Sequence, residues 1–410
     1  MINKQEKNSD LAVFSLLSLI KEHGSISQVR LSELSGYSRS TVSINCDKLL
    51  SAGYIISDSS STTNKRKNIE FRLNKNLGYV VGLGLGGSSC RIALFDIEGT
   101  MIESNRIPVD LMCGPEPVLE GICADIDAML RKHKKKNTPL LGIGMGLPSP
   151  VQYEEGVAFH PAFMPGWHLF PVKKFLSDRY GCHVFIDNEV NTLALGEFAE
   201  LKDRKLKTLL CVKVGTGIGA GIIIDGNIYR GEKGGGGNIG HIHVDHDNTP
   251  CSCGKTGCIE AIASLPAVER RAEQLAERHP ESLLAEVLRK QKKITITDIR
   301  QAADKGDRLS LRLIRDAGTT LGNLLGKLII FIDPAMLIIA GRLTVLGPTY
   351  LDYVRKATLN EAAPWVGAAF AIEFSKLKED SSASGAALLC ISELFGRQLI
   401  TKIAGRPVGA

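Results

Sequence analysis

Three thiols stand within eight residues in Cys251-Ser252-Cys253-Gly254-Lys255-Thr256-Gly257-Cys258, shortly after histidines at positions 241, 243 and 246. Three thiolates and one imidazole form a closed tetrahedral donor set suited to structural Zn²⁺. Gly254 and Gly257 allow the tight loop that brings the sulfurs together. Because such a set leaves no coordination position for water, the metal is expected to brace a loop and not to hydrolyse a substrate. By residue type alone, any of His241, His243 and His246 could supply the imidazole. The other seven cysteines (Cys46, Cys90, Cys113, Cys123, Cys182, Cys211 and Cys390) are scattered singly, mostly in apolar stretches, and read as core packing.

A second kind of chemistry is suggested by two glycine-rich turns. These are Gly82-Leu83-Gly84-Leu85-Gly86-Gly87-Ser88 and Val214-Gly215-Thr216-Gly217-Ile218-Gly219-Ala220-Gly221. Turns of this kind let backbone amides approach phosphate closely, although glycine serves ordinary tight turns as well. Their order, with more than a hundred residues between them, matches a duplicated phosphate-binding body whose two lobes close around a cleft.

These groups need a scaffold of alternating strands and helices. The stretches 79–85, 91–95 and 140–147 read as strands, with a helix over 116–132 before the third, which is an α/β pattern. The basic run 131–136 closes that helix, where cations complement the dipole and remain solvated. A chain of 410 residues is long enough for two or three domains. Residues 74–78 form the natural linker ahead of the first body strand. With residues 1–10 polar and mixed in charge, and no apolar run near the roughly 20 residues of a membrane span, a cytoplasmic location without membrane insertion is expected. In that compartment the cysteines are thiols or metal ligands and not disulfides.

Ahead of the linker the pattern is helical. Leu11, Val13, Phe14, Leu16, Leu17, Leu19 and Ile20 mark a first helix that stops at His23-Gly24. Ser27 is an N-cap for a short helix over 28–35, with Val29, Leu31 and Leu34 turned inward, and Gly36 ends it. Ser38 then starts a third helix carrying Val42, Ile44, Leu49 and Leu50 as apolar positions, with Gly53 as its stop. This is the helix-turn-helix pattern, and Ser38, Arg39, Ser40, Thr41, Ser43 and Asn45 are expected on the exposed face of the recognition helix, facing phosphates and base edges. Residues 54–56 and 69–73 read as a hairpin whose basic tip, Lys65-Arg66-Lys67, would act as a wing along the DNA backbone. Residues 1–77 hold eleven basic against seven acidic side chains, leaving 39 against 37 for the rest, so most of the chain's net charge of +6 sits in this head. That is the electrostatic footprint of a nucleic-acid-binding module.

From residue 79 onward the chain resembles the ROK family (repressors, open reading frames and sugar kinases), within the actin-like, ribonuclease-H-like ATPase superfamily. Gly237-Asn238-Ile239-Gly240-His241, followed by the cysteine cluster and Ile259-Glu260, carries the resemblance most specifically. It implies His241, Cys251, Cys253 and Cys258 as the zinc ligands, and Asn188, Glu189, Asn238, His241 and Glu260 as contacts for a sugar. The head is similar to that of the family's xylose-, glucose- and N-acetylglucosamine-responsive repressors. The fold implied is a two-lobed actin-like sugar-kinase fold preceded by a winged helix-turn-helix domain. Its expected divisions are a DNA-binding domain over 1–77, a first lobe over 78–188 to which 376–410 returns, and a second lobe over 189–375 with the zinc site and a dimer interface.

Four positions depart from the kinase pattern. Gly84 stands where kinases place the metal-side Asp, and glycine has no side chain to coordinate with. Glu189 stands where they place the catalytic Asp, one methylene longer than a base positioned on a hydroxyl would be. Asn238 replaces a sugar-contacting Glu with an amide that both donates and accepts. Ser149, in Gly146-Leu147-Pro148-Ser149, also stands where kinases usually have Gly. The expectation is therefore a non-enzymatic repressor that binds double-stranded operator DNA as a homodimer or dimer of dimers, with a small sugar or sugar phosphate as effector. Two alternatives stay open. One is an active ATP-dependent sugar kinase carrying a DNA-binding head, and the other a repressor sequestered on a phosphotransferase-system protein.

Overall fold

The computed structural model describes residues 4–59, 69–133, 138–161, 163–244, 247–367 and 369–395. The chain opens with α1 (Lys4–His23), which stops where Gly24 takes φ +71°. After β1 (Ile26–Ser27), Ser27 caps α2 (Gln28–Ser35) by accepting the Arg30 N–H at 3.3 Å, and Gly36 closes it in the left-handed region. Ser38 caps α3 (Arg39–Ser51), accepting the Thr41 N–H at 3.2 Å. A hairpin of β2 (Ile55–Ser59) and β3 (Ile69–Leu73) follows, with β1 antiparallel on the other side of β3. The two-residue β1 has too little alternation to be visible in sequence. Lys65, Arg66 and Lys67, the expected wing tip, lie outside the described residues.

The structure corrects two expectations for the short helix. Leu31 is fully buried, but Val29 and Leu34 are 40% and 39% exposed. Positions two apart lie about 200° apart around a helix, so Val29 and Leu31 cannot both face the core.

The first body sheet has the order β10-β7-β4-β5-β6. Its elements are β4 (Tyr79–Leu85), β5 (Ser89–Phe95), β6 (Met101–Pro108), α4 (Pro115–Lys132), β7 (Leu140–Leu147), the small hairpin of β8 (Val151–Gln152) and β9 (Val157–Ala158), α5 (Val172–Tyr180) and β10 (His183–Asn188). The second sheet, β13-β12-β11-β14-β15, is built from β11 (Thr208–Val214), β12 (Ile218–Ile224), β13 (Asn227–Ile228), β14 (Met336–Ala340) and β15 (Ala371–Phe374), after α6 (Glu189–Glu200). Both sheets repeat one plan. β4 pairs antiparallel with β5 and parallel with β7, and β11 pairs antiparallel with β12 and parallel with β14. In each, the strand that leads into a glycine-rich turn is therefore central, and its turn emerges at a sheet end.

Between β13 and β14 lie α7 (Ile259–Ala263), α8 (Leu265–Arg278), α9 (Leu283–Gln291), α10 (Ile296–Asp304) and the long α11 (Arg308–Ile332). Their apolar faces cover the second sheet through Leu313, Leu321, Leu325 and Ile329, joined by Tyr350 and Val354 of α12 (Pro348–Glu361). The last helix, α13 (Ser381–Glu393), packs on β4, β7 and α6. Glycines permit this approach. A Cβ on Gly144 of β7 would stand 1.8 Å from the Ala386 carbonyl, and one on Gly385 would stand 1.6 Å from that of Thr192. Because the obstacle is backbone on both sides, Gly144→Ala is expected to cost about 2–3 kcal/mol, read as a lower urea midpoint with an unchanged slope.

The head does not hang free. Leu16, Leu31, Leu49, Phe71 and Leu73 share one hydrophobic cluster with Val80, Phe95, Ala387, Ile391 and Phe395 of the body. Tyr54 meets Phe395 edge to face, their ring centroids 6.2 Å apart. Among the described residues, no helix is long and apolar enough to cross a membrane.

Candidate functional site

The carboxyl end of β10 delivers Asp187 and Asn188, and the first turn of α6 delivers Glu189 and Asn191, to the gap between the two sheets. Asn188 caps α6, its Oδ1 accepting the Val190 N–H at 2.8 Å while its Nδ2 donates to the Ser149 carbonyl at 3.0 Å. Asp187, only 2% exposed, accepts from Arg230 Nε at 2.7 Å and Asn191 Nδ2 at 2.8 Å. The Arg230 guanidinium lies 3.9 Å over the ring of Tyr153, whose hydroxyl donates to Glu393 of α13 at 2.9 Å. Glu189 is buried, and both of its carboxylate oxygens are taken by the ammonium of Lys213 from β11. Two ion pairs, Asp187 with Arg230 and Glu189 with Lys213, therefore link the end of the first sheet to the second.

The two glycine-rich turns face each other across this gap. A Cβ on Gly87 would be 2.4 Å from Thr216 Oγ1, and one on Gly86 would be 4.0 Å from Lys213 Nζ. Gly84 lies inside β4, and a Cβ there would touch Ser382 of α13 at 3.0 Å. Glu260, at the start of α7, accepts the Ile218 N–H at 2.9 Å and so ties the helix that follows the cysteine cluster to the second turn. Asn238 is exposed, with no side-chain hydrogen bond among the described residues. Ser149 is buried and donates to the Pro150 carbonyl at 2.9 Å.

His241, Cys251, Cys253 and Cys258 bring one donor atom each within 4.8 Å of one another. Cys253 and Cys258 sulfurs are 3.7 Å apart, and His241 Nδ1 is 3.6 Å from the Cys251 sulfur. A tetrahedron with zinc–sulfur bonds of about 2.3 Å and a zinc–nitrogen bond of about 2.0 Å has edges of about 3.8 and 3.5 Å, so the spacing fits such an ion. The Lys255 backbone N–H holds the Cys253 thiol below its ordinary range, whereas burial pushes Cys258 up to about 12. Of the competing imidazoles, His243 turns its Nδ1 to the Thr256 carbonyl at 3.0 Å and stays out of the cluster. His246 lies outside the described residues. With His241 Nδ1 facing the thiols, its other ring nitrogen is left for a second partner.

On the head, Arg39 and Ser40 are exposed at the start of α3, and Thr41 and Ser43 are half-buried. Ser38 is also exposed, but its hydroxyl is occupied by the cap and by Ser40 and Thr41 at 2.9 Å. The placement of Asn45 on the exposed face is corrected. It is 4% exposed and donates to the Thr41 carbonyl at 2.8 Å. The reason is helical period, since position 45 falls on the inward stripe of Val42, Cys46 and Leu49. Ile44, expected in the core, takes the outer position one turn after Ser40 and is 58% exposed. It offers a methyl-bearing surface of the kind that meets thymine.

The profile of the ROK family matches residues 80–393. The chain belongs to the ROK family. A second profile, described as winged helix-turn-helix DNA-binding, matches residues 10–56. Among ROK relatives, the chain is 28% identical to the xylose repressor of Caldicellulosiruptor bescii, with 93% of this chain and 95% of that one aligned. It is 32% identical to the glucokinase of Halalkalibacterium halodurans over 75% of this chain and 93% of the other. A crystal structure of a ROK family transcriptional regulator, described as a homologue of the E. coli MLC protein, superposes with a TM-score of 0.82. That match covers 97% of this chain and 99% of the other at 23% identity, and it establishes the fold. ROK relatives thus include both repressors and kinases.

Sequence reasoning missed Lys213, Arg230 and Tyr153. Of these, Lys213 left a readable trace, because a lysine in the apolar strand Leu210-Cys211-Val212-Lys213-Val214 requires a partner once buried.

Proposed function

We propose that this ROK protein is a sugar-responsive transcriptional repressor of carbohydrate-metabolism genes. The observation that carries the reading is the presence, in one chain with a shared core, of a winged helix-turn-helix head and a ROK body, aligned almost end to end with a xylose repressor. In this reading residues 1–77 bind operator DNA as part of a homodimer. A sugar binds between the lobes of 78–188 and 189–375, and 376–410 belongs with the first lobe.

The sugar-facing groups are Asn188, Glu189, Asn238, His241 and Glu260. Ser38, Arg39, Ser40, Thr41 and Ser43, with Lys65, Arg66 and Lys67 of the wing, serve the DNA, and Ile44 joins them. The His241, Cys251, Cys253 and Cys258 cluster holds a structural zinc that would fix the loop bearing His241 and Glu260. Sugar acts by favouring one lobe arrangement, and the head follows because its core is continuous with the body.

In this reading the body does not phosphorylate. Gly84 provides no metal-side carboxylate, and Glu189 is engaged by Lys213. The kinase alternative has support in the 32% identity to a glucokinase, so both activities belong in one experiment. Operator fragments selected on the full-length protein are titrated by fluorescence anisotropy with D-xylose, D-glucose, N-acetylglucosamine and their phosphates, and ATP turnover is followed with the same sugars. One sugar is expected to weaken operator binding about 5- to 150-fold, the ordinary range of allosteric coupling, without ATP consumption. Saturable phosphorylation would transfer the assignment to the kinase.

A further inference from the structure

Two contacts from opposite sides of the molecule meet in one side chain. Tyr153 directly follows β8 in the small β8–β9 hairpin, and Val151 and Ala158 of that hairpin are buried in the core of the first sheet. From the second sheet, Arg230 follows β13 by two residues and opens the glycine-rich stretch that leads to Asn238 and His241. Its guanidinium covers the Tyr153 ring at 3.9 Å while its Nε donates to Asp187 at 2.7 Å. Gly234 comes so close to the hairpin that a Cβ there would stand 2.0 Å from the Val151 carbonyl. The segment 230–238 therefore grips the hairpin.

The other end of Tyr153 is tied to the last helix. Its hydroxyl donates to Glu393 at 2.9 Å, and Glu393 ends α13. Ile391 and Phe395, two residues to either side, belong to the hydrophobic cluster shared with the head. Positions two apart lie about 200° apart around a helix, so Glu393 faces away from Ile391 and Phe395. The end of α13 has the head on one side and Tyr153 on the other, and Phe395 meets Tyr54 of the head directly.

We infer that Tyr153 is a positioning residue that carries the placement of segment 230–238 to the end of α13, and through Phe395 to the DNA-reading head. A stacked guanidinium and a hydrogen bond to a carboxylate are both directional contacts. The phenol between them is rigid, so moving Arg230 across the ring shifts the hydroxyl against Glu393. That a sugar is what moves segment 230–238 rests on the sugar-responsive reading above, whereas the link from Arg230 to the head does not.

The test is a pair of double-mutant cycles on the full-length protein, because adjacency alone does not establish coupling. The first needs no ligand and follows hydrogen exchange of α3 and β2. Arg230→Lys keeps the charge beside Asp187 but loses the flat stacked face, and is expected to speed that exchange about three- to tenfold. Tyr153→Phe keeps the ring and removes the hydroxyl, and should have an effect of about the same size. Adding Arg230→Lys to Tyr153→Phe should then change exchange less than about 1.5-fold further. Glu393→Leu replaces Tyr153→Phe in this cycle should the latter not fold.

The second cycle measures operator affinity with and without saturating D-xylose, D-glucose or N-acetylglucosamine, and sugar affinity by calorimetry. Tyr153→Phe and Glu393→Leu should each cut the sugar-induced change in operator affinity about three- to tenfold while leaving sugar affinity within about twofold. Combined, they should cut it no further, and Glu393→Gln, which still accepts from the hydroxyl, should keep the wild-type response. Exchange in the head that is unchanged or purely additive, or a sugar response that falls only as far as sugar affinity does, overturns the assignment. If no sugar acts on the wild type, the sugar reading fails and the exchange cycle by itself decides the role of Tyr153.

Discussion

Cys258→Ser in the full-length chain should lower the thermal midpoint by about 10 °C and abolish binding of the zinc proposed above for this cluster, measured by calorimetry and elemental analysis. The size follows from place and chemistry together. Cys258 is 1% exposed and stands at the N-cap position of α7, so its sulfur joins the His241–cysteine cluster to the helices that cover the second sheet. Structural zinc contributes about 10–16 kcal/mol to the folding of small zinc modules. If a third of that reaches the global transition here, the cost is about 3–5 kcal/mol, or about 10 °C for a body of this size. The sugar response should fall with it, because Glu260 follows Cys258 by two residues and holds the Ile218 amide. An unchanged midpoint with unchanged zinc content would remove the metal from the structure's account. Serine keeps the size of the side chain but supplies a poor ligand, so the substitution tests coordination and not packing.

Arg39→Ala is expected to weaken operator binding about a hundredfold or more at fixed salt while leaving the melting curve in place. Arg39 is exposed at the first position of α3, where the helix N-terminus also favours phosphate. One arginine on a phosphate or a guanine is worth about 1–3 kcal/mol, and the homodimer proposed above would count it twice. Fluorescence anisotropy at several salt concentrations separates the two uses. A phosphate contact lowers the salt slope, and a base contact relaxes sequence preference. Loss of less than about threefold would place the recognition surface elsewhere on the head.

The gathering of His241 with the three cysteines was legible in the sequence because its spacing is local, with three sulfurs within eight residues and one imidazole shortly before. The helix ends were legible for the same reason. Ser27, Gly36 and Ser38 act within one turn of themselves, and all three are where local chemistry puts them. Tyr79–Leu85 and Leu140–Leu147 were readable as whole strands because they are continuous apolar runs. What stayed hidden depends on contacts distant along the chain. Arg230 reaches Asp187 across 43 residues, and Tyr153 reaches Glu393 across 240, with nothing local to mark either pair. Asn45 is a different case. Its burial follows from the helical period already visible at Val42 and Leu49, but polarity outweighed position in the reading of that helix.

The hydrophobic cluster that runs from Leu16 and Phe71 through Val80 and Phe395 has a consequence for ancestry and engineering. A DNA-reading module usually shuffles between proteins as a bead on a string, its specificity portable by cut and splice. Here the outer face of the last helix of the body is part of the head's interior. A graft made at residues 74–78 would carry away one half of a joint interface and leave the other half wet. Chimaeras between related repressors should therefore succeed when Ile391 and Phe395 travel with the head. Substitutions on the exposed face of α3 should accordingly change DNA preference at less cost in stability than replacing the module whole.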